Sequence, residues 1–216
     1  AKAGRSWEAC MTFNGSWGWQ KAPPEDWRSV RGVLEMLRTC TANQGNLLLN
    51  IGPLPDGTVP KEAVTRLTAV GKWLDRYGDV IYGKVDRSSS LTSAIGNLSR
   101  KGKTQYLWCT RWPGRELAIG ALTGKLQSAK LHGTTRKLPF SQVKDRLVIR
   151  GLPAQSPDKV AGVAVLDLVF KSPPNQVFSC GCVTVGAKPK NLHTRWHSAH
   201  VETWKVSKLV PKKGDV

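Results

Sequence analysis

Three rhythms of apolar and polar residues succeed one another along this chain. The stretch SWEACMTF (6–13) reads as a short strand with Cys10, Met11 and Phe13 as its packing residues. A loop follows, NGSWGWQKAPPED, in which two tryptophans flank a glycine and a Pro-Pro pair precedes acidic residues suited to a helix start. Val30, Val33, Leu34, Leu37 and Thr41 then recur at three and four, which predicts an amphipathic helix over 26–42 that Gly45 is placed to stop. Leu47, Leu48 and Leu49 run without alternation, the pattern of a parallel strand buried on both faces. The run ends on Asn50 and on the turn residues Gly52, Pro53, Pro55, Asp56 and Gly57. From Pro60, the spacing of Val64, Leu67, Val70, Gly71 and Leu74 predicts a second helix ending near Gly78.

After this β-α-β-α succession the rhythm shortens. Strands are predicted over 104–110, 116–119, 128–131, 146–150 and 160–170, with breaks at Trp112-Pro113-Gly114, Gly133-Thr134 and Ser156-Pro157-Asp158. That spacing predicts an antiparallel β-sandwich. The polar, aperiodic DRSSS at 86–90 marks the change. The expected organisation is therefore an α/β segment (1–85), a β-sandwich (86–170) and a basic extension (171–216) punctuated by Pro and Gly.

Composition narrows the function classes. At 216 residues and 40% hydrophobic the chain can build a core. Its net charge of +18 is uneven. Residues 1–85 hold 11 Lys/Arg against 8 Asp/Glu, a net of +3, while 86–216 hold 22 against 7, a net of +15. Such a balance raises the question of a nucleic-acid partner, but the cations are scattered singly and match no nucleic-acid module, so none is expected. No apolar run reaches membrane-spanning length, and the opening AKAGRSWEAC lacks the apolar core of a signal peptide. Cys10, Cys40, Cys109, Cys180 and Cys182 are an odd set without an even disulfide framework, which leaves the compartment open. Cys180, Cys182, His193, His197 and His200 have the residue types of a zinc site but poor ligand spacing, and no metal or other cofactor is expected.

The chemistry points to the end of the Leu47–Leu49 run. Ligands of parallel α/β sheets bind at the carboxyl ends of the strands, where loops converge, and Asn50 stands there. Its amide can reach into a site or tie down the 52–57 turn, the second being favoured by the turn chemistry that follows.

Two ordered motifs, WEACMTFNGSWGW (7–19) and GNLLLNIGPLPDGTVPKEAVTRLTAVGKWLDRYGDVIYG (45–83), resemble the last part of the catalytic domain of α-L-fucosidases of glycoside hydrolase family 29. YLWCTRWPGRELAIGAL and RLVIRGLPAQSPDKVAGVAVLDL continue the resemblance more weakly, into that family's C-terminal sandwich. The tail after 171 resembles nothing nameable. The resemblance implies the last two β-α units of a (β/α)8-like barrel joined to an antiparallel β-sandwich, with a fucosylated glycan as substrate. It also implies an extracellular, periplasmic or lysosome-like compartment. Retaining hydrolysis needs a nucleophile and an acid/base carboxyl about 5–5.5 Å apart. In the resembled family the nucleophile is an aspartate on an earlier barrel strand, to which no residue here corresponds.

Glu8 is the candidate acid/base carboxylate, expected at the carboxyl end of its strand beside Trp7 with partial burial to keep it protonated. Otherwise it supports neighbouring loops. Trp17, in SWG, is expected to stack on the sugar and wall the C6 methyl of fucose, and Trp7 and Asn50 are the further substrate-binding candidates. The expectation is thus the C-terminal portion of an exo-acting retaining α-L-fucosidase, inactive as this chain alone. The alternative is a non-catalytic carbohydrate-binding or interaction protein that keeps the sandwich.

Overall fold

The computed structural model describes residues 7–82, 91, 93 and 95–177, and the backbone pairing of 192–197 with 200–205. The chain opens with β1 (Glu8–Thr12), a 3-10 turn (Pro24–Asp26), α1 (Val30–Ala42), β2 (Asn46–Asn50) and α2 (Lys61–Tyr77), which a second 3-10 turn (Gly78–Val80) extends. Helix α1 starts later than the periodicity predicts because Ser29 caps it, its Oγ accepting from Gly32 N at 3.1 Å. It stops through Gln44, whose φ of 58° takes the left-handed role expected of Gly45, while Gly45 N donates back to Cys40 O at 2.8 Å.

Strands β1 and β2 pair in parallel. β2 is not buried on both faces as its Leu run predicts. Its outer residues are exposed, Leu48 by 49%, because α1 covers only one side of the pair. Val64 and Leu67 are likewise exposed, and α2 packs instead through Ala63, Val70, Trp73 and Tyr77.

Two antiparallel sheets follow. One has the order β3 (Gly96–Lys101), β4 (Thr104–Cys109), β9 (Ala164–Phe170), β6 (Leu126–Leu131). The other has the order β5 (Glu116–Ile119), β8 (Arg146–Arg150), β7 (Phe140–Val143). β3 and β7 escape the sequence pattern because both are edge strands with few apolar residues.

Leu107, Leu166 and Leu168 from the first sheet and Leu117, Leu147 and Ile149 from the second close one core. The five among them at 0% exposure, all but Leu117, contribute about 1.5–3 kcal/mol each by burial. The alternate residues of the four-stranded sheet, Trp108 and Val165, face the other way into a second core with Phe13, Leu34, Trp73 and Tyr77. That sheet is therefore the middle of three layers. The chain divides into two compact units, Ala1–Val177 and Phe178–Val216, and the first of them holds both the β1-α1-β2-α2 segment and the two antiparallel sheets. In the second unit β10 (Leu192–His197) and β11 (His200–Lys205) form an antiparallel hairpin in which His197 pairs with His200. Cys180 and Cys182 lie outside the described residues.

Candidate functional site

The register Glu8↔Asn46 through Thr12↔Asn50 fixes the polarity of the β1–β2 pair, with Thr12 and Asn50 at its carboxyl end. Pairing continues one step further, where Phe13 N donates to Asn50 O at 3.1 Å. Arg28 clasps the departing strand, its backbone N donating to Phe13 O at 2.9 Å and its Nε to Thr12 O at 2.7 Å.

The SWGW loop is held against this rim from two directions. Asn50 Nδ2 donates to Trp17 O at 2.8 Å. Gly52 lies so close to the loop that a Cβ there would sit 2.4 Å from the Gly18 carbonyl and 2.6 Å from Trp19 N. Within the loop, the buried Asn14 accepts from Ser16 N through Oδ1 at 3.4 Å and from Gln20 Nε2 through its carbonyl at 3.3 Å. The backbone is thus fixed while the rings of Trp17 and Trp19 stay 59% and 46% exposed. Asn50 ties down the tryptophan loop rather than the 52–57 turn. That turn is closed by Asp56, which accepts from Thr58 N at 2.9 Å and Thr58 Oγ1 at 2.7 Å. These bonds hold its carboxyl below the usual range.

Glu8 and Trp7 are placed elsewhere. Glu8 opens β1 beside Asn46, at the amino end of the pair, and is exposed rather than partly buried. Four strand steps separate it from Thr12, about 13 Å at ~3.3 Å per residue. Trp7 Nε1 donates to Asn43 O at 2.8 Å, and its ring lies where a Cβ on Gly45 would fall, 2.2 Å away. Gly45 is required by that contact. The structure therefore brings Trp17 and Asn50 together and sets Trp7 and Glu8 apart from them.

A second constellation escaped sequence reasoning. His132, at the end of β6, meets Asp167 of β9 through Nδ1 at 2.7 Å and Asp79 of the second 3-10 turn through Nε2 at 2.7 Å. Lys130 Nζ stands 3.3 Å from the other oxygen of Asp167. Burial by itself lowers the affinity of His132 for its second proton, but the hydrogen bonds and charges of Asp167 and Asp79 outweigh it and raise the imidazole above its ordinary value. The cluster borders an open groove of about 610 Å³ that Arg76, Tyr82, Lys130 and Thr134 also line. One signal was available in the sequence: Asp167 interrupts the apolar run AVLDLVF, and a buried acid requires a partner.

The sequence profile described as α-L-fucosidase matches residues 1–79. The plasma α-L-fucosidase of Rattus norvegicus is 30% identical over 159 residues, covering 69% of this chain and 35% of the rat protein. That of Homo sapiens is 33% identical over 157 residues, covering 68% and 33%. Among solved structures, α-L-fucosidase isoenzyme 1 from Paenibacillus thiaminolyticus superimposes with a TM-score of 0.67 at 27% identity, over 77% of this chain and 40% of that one. The Thermotoga maritima α-fucosidase does so with 0.64 at 28%, over the same shares. The chain spans about a third of the length of these curated relatives. Profile, relatives and solved structures agree, and the chain belongs to the α-L-fucosidase family.

Proposed function

We propose that this chain is the C-terminal portion of an exo-acting, retaining α-L-fucosidase that removes terminal α-L-fucose from glycans, supplying the last two β-α units of a (β/α)8-like barrel and the sandwich behind them. The observation that carries the reading is the rim at Asn50, where a fixed backbone presents two exposed indoles at the carboxyl end of parallel strands. An indole face suits the apolar side of a sugar, and the C6 methyl of fucose adds apolar surface to it.

Retention proceeds by double displacement. A carboxylate attacks the anomeric carbon as the protonated partner gives its proton to the leaving oxygen, and water then cleaves the glycosyl ester with the partner acting as base. The nucleophile belongs to barrel strands outside these residues. Glu8 is the acid/base candidate within the chain, and its exposed position at the amino end of β1 supports a role in holding neighbouring loops over one in proton transfer. The chemistry requires no cofactor.

The same position of Glu8 favours a second reading for this chain alone, in which the rim binds sugar without cleaving it. The test is release of phenol from an aryl α-L-fucoside by the 216-residue chain and by the full-length product of its coding region. Turnover is expected from the longer protein only. Robust turnover by the short chain, abolished by Glu8→Gln, would overturn the reading. A full-length product that binds fucose but releases no phenol would establish the second.

A further inference from the structure

Asp79, His132 and Asp167 take no part in the reading above, yet they join two layers of the molecule. His132 and Asp167 belong to the four-stranded sheet, and Asp79 to the turn that ends α2. We propose that His132 is a proton-operated clamp, which binds the end of α2 to the central sheet while its ring carries two N–H donors and releases Asp79 when it carries one.

The two carboxylates differ in what they can do without the ring. The side chain of Asp167 is 6% exposed and that of Asp79 is 68% exposed. A neutral imidazole has one N–H and one lone-pair nitrogen. The buried Asp167 has little access to water and keeps the Nδ1–H, helped by Lys130 at 3.3 Å. Nε2 then turns a lone pair toward Asp79, and the two repel. Asp79 can leave at small cost because water already reaches it. The proton lost from Nε2 passes to solvent.

Other charged or titratable groups packed around the ring do not compete for that proton. Tyr106 of β4 lies edge-on with its ring centre at 5.9 Å, and burial raises its phenol. Tyr77 of α2 lies at 5.8 Å, and burial pushes it up to about 12. Arg76 sits over the Tyr77 ring at 5.1 Å and, with no lone pair on its guanidinium to offer, accepts no proton from the imidazole. With the folded value raised above the unfolded one, the clamp's stabilisation is complete below the ordinary imidazole value. It is lost as pH rises through the folded value. Release uncouples the Asp79 side chain from the central sheet, at the wall of the groove that it shares with Gly78 and Tyr82, while Val80 stays buried in the second core.

The experiment uses the 216-residue chain. Nitrogen-15 NMR follows the imidazoles, with the His132 signal assigned by its loss in His132→Gln. His132 is expected to titrate above its ordinary value and to keep its remaining proton on Nδ1. Thermal unfolding is measured in parallel from about pH 5 to about pH 9. The wild-type melting temperature is expected to fall by several degrees across that span, and Asp79→Asn to make the fall smaller. The three other histidines are unchanged in Asp79→Asn, so the difference between the two curves belongs to the clamp. A ring that titrates at or below the ordinary value, a neutral form protonated on Nε2, or equal pH dependence in wild type and Asp79→Asn would each overturn the proposal. If His132→Gln does not fold, selective ¹³C labelling and the wild-type and Asp79→Asn curves still decide it.

Discussion

At the scale of single residues, the rim separates what holds the loop from what faces solvent. Gly52 has no room for a side chain, since the atoms that a Cβ would meet are backbone and cannot rotate away. Gly52→Ala should therefore displace the SWGW loop and cost about 1–3 kcal/mol, as overpacking does. Urea unfolding and a shift in tryptophan emission would register it. Trp17→Ala removes a ring already 59% exposed, so stability should change by less than ~0.5 kcal/mol. Under the proposed function, the full-length protein carrying this change should bind fucose more weakly by about 1–3 kcal/mol, measured by calorimetry. A large stability loss with unchanged affinity would make Trp17 a packing residue. Asn50 was legible as a strand end from the Leu run before it. Its partner was not, because the bond to Trp17 spans 33 residues and leaves no mark in local pattern.

Among the elements, the apolar runs show how far local reading reaches. The run LLL of β2 and the run AVLDLVF of β9 both lack alternation, but only β9 is buried along nearly its whole length. The difference lies in neighbours. β9 is paired on both edges and covered by a sheet on one face and helices on the other, whereas β2 pairs with β1 and receives α1 on one side. Helix existence and strand order within β1-α1-β2-α2 followed from period alone, as did most of the sandwich strands. β3 and β7 did not, because an edge strand needs few apolar residues. The contrast gives a direct measurement: Leu166→Ala should lower the unfolding free energy by about 2–5 kcal/mol, and Leu48→Ala by less than ~0.5 kcal/mol. Similar losses at both sites would mean that β2 is covered in solution.

For the molecule as a whole, the decisive contact is the one between α2 and the central sheet. Trp73 stacks on Trp108 with ring centres 5.0 Å apart and on Tyr77 at 4.8 Å, and its Nε1 donates to Val163 O at 2.8 Å. All three rings are about 1% exposed. An aromatic junction so deeply shared leaves the α/β segment no separate core, since Phe13, Leu34 and Val70 belong to the same cluster as Val163 and Val165. Residues 7–82 and 95–177 should consequently unfold together despite their different architectures. Helical circular dichroism and tryptophan emission should trace one coincident transition in urea. Trp73→Ala, which opens a cavity and orphans the Val163 carbonyl, should move that whole transition down by about 3–5 kcal/mol. Two transitions, with helix lost before the sheets, would show instead that the segments are independent domains meeting at 85. The apolar side chains of α2 that remain exposed, Val64 at 48% and Leu67 at 37%, lie outside this junction. Replacing both by Lys should leave the transition within ~0.5 kcal/mol of its original position and set them apart from the residues that hold the layers together.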